Sequence, residues 1–397
     1  MPRNPNKIDY SNGFPEGFQA FSMLEDPRSG GNTKHHFGAI ILMAYTCVLC
    51  GVENYEHMEE FCDANEEWFS TWLPLPNGTP CYNTFSRVIE AIEPDCFANC
   101  IVAHLDSIGK EQHDKHVASD GKSLRGSGNK QDKRIHAVSA WACEKGLTLA
   151  QTFTSDKSNE ITAIPSLLEM LNLEGSVVTI DAMGAQQEIA QKICDKGGDY
   201  LINVKLNQKT LHDEIVDQFE FAKRQLSGRA KKLNKANWSY TESYDQSRGR
   251  DEKRQTLICH NTEFLTEETK KKWASIGCLI MVCRHTSMED GSIRGDVSFY
   301  MSSLKNPKPE DIHKYVRQHW HIENSCHWVL DTVFLEDSVQ ISNRNAAKNL
   351  STMRKIALNS LKIAPEISRR KKPASLKKKQ LRAAQSLSYR EQCLSLV

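Results

Sequence analysis

Apolar positions along the 397-residue chain change period several times, and each change marks a change of element. Up to about residue 110 the apolar residues recur every three to four positions. This predicts helices over 34–50, 53–72, 81–92 and 94–109, interrupted by "LPLPNGTP" at 73–80. From 115 the texture becomes β-like. "KHVASD" (115–120), "RIHAVSAWA" (134–142) and "LTLAQTF" (147–153) read as strands, the last two joined by a turn around Gly146. A helix at 160–172, a strand at 176–181, a helix at 184–196 and a strand at 199–204 complete a β-β-β-α-β-α-β order. Residues 206–297 interrupt it with a helix at 211–226 and strands near 254–259, 276–283 and 296–301. Helical periodicity returns after "LKNPKPED" (304–311) and again at 344–362.

One position breaks the pattern. On a helical wheel Ile312, Val316, Glu323, Leu330 and Phe334 fall within about 20° of one line, with His319 and His327 flanking it. A carboxylate therefore occupies the middle of the face expected to be buried, which is costly unless it is paired, protonated or metal-bound. A salt bridge from Glu323 to Arg317 or Arg354 is one solution, and a metal ion is the other. Asp120 and Asp181 each close a predicted strand, and strand ends are where α/β folds collect ligands. If the Glu323 helix packs on that sheet, three carboxylates converge and raise one another's pKa, a conflict a divalent cation removes. An all-oxygen donor set suits Mg²⁺ or Mn²⁺, and two such ions suit in-line displacement at phosphorus.

Composition limits the rest. Net charge is +1, so any nucleic-acid surface is local. The opening residues carry no apolar signal segment, and the run 37–52 is short for a membrane span, so a cytoplasmic protein is expected. The 13 cysteines are scattered without a framework and read as reduced thiols; Cys47 and Cys50 read as buried helix residues. Residues 79–92 could be the second helix of a helix-turn-helix, but 53–67 holds seven acids and Arg87 is the one base in 79–92, so a structural helical cap is an equal reading. The stretch 369–382 holds eight Lys or Arg and no acid, which fits either a solvated tail or a nucleic-acid arm.

The words around the three acids carry a resemblance. "DGKSLRGS" (120–127), "DKSNEITAIPSLLEML" (156–171), "VVTIDAMGAQ" (177–186), "YLINVKLNQ" (200–208) and "HWHIENSCHWVLDTVFLED" (319–337) resemble the H-repeat-associated proteins, bacterial insertion-sequence DDE transposases of the IS-four-like group. "CGVENYEHMEEFC" and "PNGTPCYNTFSRV" resemble that family's associated N-terminal domain. The resemblance implies an α/β fold with an RNase H-like core, a mixed sheet flanked by helices. It divides the chain into a helical N-terminal domain (1–110), a first core part (111–205), a β-rich insertion (206–300), a second core part with the Glu323 helix (301–365) and a basic tail (366–397). Asp120, Asp181 and Glu323 become the metal-binding catalytic triad for Mg²⁺ or Mn²⁺. Lys122, Arg125, Lys205, Asn207, Gln208 and Arg317 become DNA contacts. DNA is the partner, with a homodimer as the working form on it. A nuclease that cuts without joining and a silent DNA-binding derivative are the alternatives.

The larger group carries Tyr, Arg and Lys at fixed distances around its glutamate. Here those positions hold Val316, His319 and Leu330, which leaves a hairpin step open. His319 and His327, each four residues from Glu323, are placed to support a metal site. Trp320 and Trp328 are expected to pack.

Overall fold

The computed structural model describes residues 20–21, 23–29, 33–71, 73, 75–108, 114–128, 134–154, 160–227, 237–247, 250–273, 275–288, 292–368 and 372–395. Most of the basic stretch 229–238 lies outside them. Among the described residues five α-helices precede the sheet: α1 (Phe37–Leu49), α2 (Tyr55–Ala64), α3 (Glu66–Ser70), α4 (Tyr82–Ala91) and α5 (Pro94–Ser107). Asn54 caps α2 by accepting from the His57 N–H, and Pro94 opens α5 where a missing N–H costs nothing. Cys47 and Cys50 are buried.

Nine strands among the described residues form one sheet, in the order β3-β2-β1-β4-β5-β9-β8-β7-β6. These are β1 (His116–Leu124), β2 (Ile135–Ala142), β3 (Leu147–Thr154), β4 (Val177–Ile180), β5 (Asp199–Val204), β6 (Trp238–Ser247), β7 (Arg250–Cys259), β8 (Cys278–Met288) and β9 (Ile293–Ser302). Between them run α6 (Glu160–Glu169), α7 (Gln187–Asp195), α8 (Lys209–Ser227) and α9 (Glu267–Lys272). β1 pairs parallel with β4 and β4 with β5; the other pairings are antiparallel. Two-residue alternation sends Ala118 and Trp141 to one core, and Val117, Val138 and Ala140 to the other. Both faces of β2 are therefore covered, which explains the near-continuous apolar run "IHAVSAWA".

The expected β-β-β-α-β-α-β order is present. The insertion's strands, however, extend the same sheet, because β9 pairs with β5. β6 had no apolar signature, since it is a polar hairpin strand with exposed Tyr240 and Tyr244.

After the sheet come α10 (Pro309–His319), a π-helical turn at Glu323–His327, α11 (Trp328–Thr332) and α12 (Arg344–Ile363). α12 is buried for most of its length and meets the edge strand β3 at Thr148. The Asn359 amide donates to the Thr148 carbonyl and accepts from its N–H, both at 2.9 Å, where β3 bulges opposite Ala140 and Trp141.

The basic C-terminal stretch does not stay apart from the body. From Leu376 it forms α13 (Leu376–Gln385) and α14 (Leu387–Leu394). Lys379 is buried and donates to the Ala364 carbonyl at 2.8 Å. The Arg390 guanidinium is buried as well, bonded to the Ala383 and Ala384 carbonyls and to Asn65, and stacked over Trp68. Charge counting leaves Lys379 to solvent or to nucleic acid; the Ala364 carbonyl takes it in instead, as two carbonyls and the Trp68 face take in Arg390. α1, α4 and α12–α14 thus share one apolar core.

Candidate active site

The site begins with register. Ser119 of β1 is level with Ile180 of β4, so the next position brings Asp120 beside Asp181 where β4 ends. Asp181 turns out of the strand and accepts from the Met183 N–H at 2.9 Å, capping a 3-10 turn at Ala182–Gly184. Asp120 does not end its strand, contrary to expectation: β1 continues to Leu124, paired with β2. The free end is that of β4, and Asp120 borders the space it leaves.

Glu323 reaches this space by a different route from the one the helical wheel implies. The segment is not one continuous α-helix. α10 ends at His319, and a π turn follows in which the Trp328 N–H bonds the Glu323 carbonyl five residues back. The extra residue rotates the apolar stripe onto Ile322, Cys326 and Leu330, and Glu323 moves off it, 58 % exposed, into the cleft. The expectation of a buried Glu323 is thereby corrected. Neither salt bridge considered for it forms. Arg317 pairs with Asp245, and Arg354 is buried under the influence of Glu336, Tyr55 and Asp337.

Asp120, Glu323 and His327 each offer a ligand atom, and these atoms lie within 4.8 Å of one another. His327 Nδ1 is 3.1 Å from Glu323 Oε2 and 3.5 Å from Asp120 Oδ2. The ring is 3 % exposed, and its Nε2 has no hydrogen-bond partner among the described residues. Asp181 lines the same open cleft of about 970 Å³ but stands outside this tight trio. The two carboxylates suit Mg²⁺ or Mn²⁺, and the imidazole, the one nitrogen the all-oxygen expectation lacked, favours Mn²⁺ of the two.

Electrostatics separates the two carboxylates of the trio. Burial pushes the Asp120 carboxyl up to about 6, and the charges of Glu160 and Asp181 act in the same direction against His327 and the Gly121 N–H. Glu323 is lowered, chiefly by its hydrogen bond to His327, with burial opposing. Burial, with a smaller push from neighbouring acids, therefore raises Asp120, while the His327 contact lowers Glu323.

The residues expected to touch DNA divide. Lys122 points inward, 9 % exposed, with Nζ 2.7, 2.9 and 3.1 Å from Asp331, Glu336 and Asp337. It is a structural cation, and its assignment to DNA phosphate is corrected on that ground. Gln208 is committed to the Ala185 carbonyl and Lys272. Asn207 donates to the Ala182 carbonyl at 2.6 Å and so braces the turn after Asp181. Lys205 is exposed on the cleft wall. Arg125 is 72 % exposed, though held at one side by Asp337. Arg317 lines an adjoining recess of about 450 Å³ with Arg254 and Arg284, cations of the insertion that the strand pattern did not single out. Trp320 and Trp328, expected to pack, are exposed.

The Lys122 cage has a pH signature. Burial alone would raise the Glu336 carboxyl, but Lys122, Lys355 and Arg354 outweigh it and hold Glu336 at about 2, against an ordinary 4.5. A depressed folded pKa stabilises fully above the unfolded value and loses that stabilisation as pH falls through the folded one. Urea unfolding is therefore expected to show stability falling between about pH 4.5 and pH 2, by about 3 kcal/mol from this group. Glu336→Gln should flatten that slope, and an unchanged slope would refute the assignment.

Residues 111–360 match the family described as Transposase DDE domain, and residues 18–105 match the DDE_Tnp_1-associated family. The chain is 33 % identical over 378 residues to "Putative transposase YncI" of Escherichia coli O157:H7, covering 94 % of this chain and 93 % of that one. It is 32 % identical over 348 residues to "H repeat-associated putative transposase YhhI" of Escherichia coli K12, covering 86 % and 88 %. The mixed sheet with flanking helices fits the RNase H-like core of such proteins. With a DDE match across the whole sheet and relatives aligned nearly end to end, the chain belongs to the DDE transposase family of the insertion sequences.

Proposed function

We propose that this protein cuts DNA at the ends of its element and joins the freed 3′-OH to target DNA, using Asp120, Asp181 and Glu323 to hold divalent cations. The observation that carries this reading is the meeting of Asp120, Glu323 and His327 within 4.8 Å, at the strand end where Asp181 turns into the same cleft. A pair of Mg²⁺ or Mn²⁺ ions held there would supply activation of the attacking hydroxyl and neutralisation of charge on the phosphoryl oxygens. The protein's own part is to position. Asp120 on β1 stands beside Asp181, the residue just past the end of neighbouring β4, so the sheet sets where both start from, while Glu323 arrives from the π turn with His327 bracing its carboxylate. Lys205 and Arg125 are offered as phosphate contacts on the cleft rim. One site serves cutting and joining, since each is an in-line displacement at phosphorus. Two ends are brought together on a dimer.

The test is metal-dependent nicking of DNA carrying the element's own ends, wild type against Asp181→Ala. Mg²⁺- or Mn²⁺-dependent cutting by the wild type, lost in the variant with DNA binding retained, is expected. Equal cutting by both would remove the triad. Tight binding without cutting by either would make the protein a silent DNA-binding derivative, and cutting without joining of paired ends would make it a nuclease.

A further inference from the structure

Behind Asp181 runs a chain of polar side chains that nothing above uses. Gln318 Oε1 lies 3.3 Å from His116 Nδ1, and His116 Nε2 lies 2.9 Å from Thr179 Oγ1. The same Thr179 oxygen lies 2.9 Å from His319 Nδ1. Thr179 precedes Asp181 by two positions on an extended segment, so the two side chains leave β4 on one face. His319 and Thr179 both line the cleft that holds Asp120, Asp181 and Glu323. Among the described residues, His319 Nε2 has no hydrogen-bond partner.

With the Gln318 amide oxygen facing His116, the donor and acceptor rules run this chain of bonds in one direction, and the flipped amide would run it in the other. An amide oxygen only accepts, so His116 must carry its proton on Nδ1. His116 Nε2 is then a bare lone pair and takes the single Thr179 hydroxyl proton. The Thr179 oxygen, having donated, accepts from His319, whose proton must sit on Nδ1. His319 Nε2 is left as a lone pair opening on the cleft. Burial pushes both imidazoles down to about 4, so both are neutral near pH 7 and the chain of bonds is intact.

We propose that His319 accepts a hydrogen bond at Nε2 from the hydroxyl that attacks phosphorus, and that the Gln318–His116–Thr179 chain is the device fixing it in that tautomer. This rests on the reading of the cleft as the DNA-cutting site. His319 would touch the nucleophile, and Thr179 and His116 are positioning residues. The acceptor aims a lone pair of the water or 3′-OH at phosphorus; as the new O–P bond forms, the P–O bond to the leaving oxygen breaks. The nucleophile's proton passes to solvent, and the leaving oxygen takes one from it. His319 changes no protonation state, which suits an imidazole held neutral by burial.

The experiment has an arm that needs no turnover. Protein labelled with ¹⁵N-histidine, without DNA, is examined by long-range ¹H–¹⁵N NMR, with His319 identified by its loss in His319→Gln. A fixed Nδ1–H tautomer is expected in the wild type, averaging toward both tautomers in Thr179→Val, which keeps the shape and deletes the hydroxyl. In the second arm, Thr179→Val is expected to cut end DNA about tenfold more slowly at unchanged DNA affinity, and Thr179→Ser to recover most of that loss. An Nε2–H tautomer in the wild type, or full-rate cutting by Thr179→Val, would overturn the proposal. A wild type that cuts no DNA would overturn it together with the transposase reading, and the tautomer then reports only whether the chain of bonds was read correctly.

Discussion

Glu323→Gln is expected to lower metal-dependent cutting by about 10³-fold or more, with DNA binding retained. The change removes one negative charge and one hard oxygen donor without changing side-chain shape. Glu323 is 58 % exposed and outside the apolar stripe, so the fold loses little. What remains is Asp120 and His327, with Asp181 beside them, and a weakened hold on the cation from one wall of the cleft. A loss of about 10³ corresponds to about 4 kcal/mol of transition-state stabilisation, an ordinary size for a metal ligand in phosphoryl transfer. Mn²⁺ titration by calorimetry provides the independent check and should show weaker binding in the variant. Unchanged cutting and unchanged Mn²⁺ affinity would remove Glu323 from the site.

Lys122→Met is expected to destabilise the protein by about 3–5 kcal/mol, the usual cost of taking one partner from a buried ion cluster. Lys122 sits between Asp331, Glu336 and Asp337, at 2.7–3.1 Å from each. Without it, three carboxylates face one another with Lys355 and Arg354 as the nearest named compensation. The cluster is also a strut. Lys122 stands two residues from Asp120 on β1, and the three acids follow Glu323 on the segment leaving the π turn, so the cage fixes the distance between two corners of the site. Urea unfolding measures the stability loss. Cutting at a temperature where the variant remains folded should also fall, because the Glu323 segment is less firmly held. A variant as stable as the wild type would show that the cage contributes nothing net.

Much of this arrangement can be read from the chain, for physical reasons. Strand and helix periods are local properties, so the β-β-β-α-β-α-β order and α12 are visible without tertiary information. The odd carboxylate in an apolar stripe pointed to Glu323, and two acids after short apolar runs pointed to Asp120 and Asp181. Family words then gave the transposase class. The polar strand β6 carries no apolar period because it is the edge strand of a hairpin with β7 and its side chains stay largely in solvent, while α13 and α14 pack on N-terminal helices far along the chain.

What the sequence by itself determined is the class of fold, the family and the three acids as candidates. The tertiary structure decided how they are used. It placed Asp120 inside a strand and gave the free end to β4, and the π turn that exposes Glu323 is invisible to a wheel drawn at 3.6 residues per turn. It also turned Lys122 from an expected phosphate contact into the centre of a carboxylate cage, set His327 within reach of both Asp120 and Glu323, and brought Thr179 into play. Hydrophobic period depends on a residue's near neighbours and is written locally. The partner of a charged or polar side chain is chosen across hundreds of residues, and only the folded chain names it.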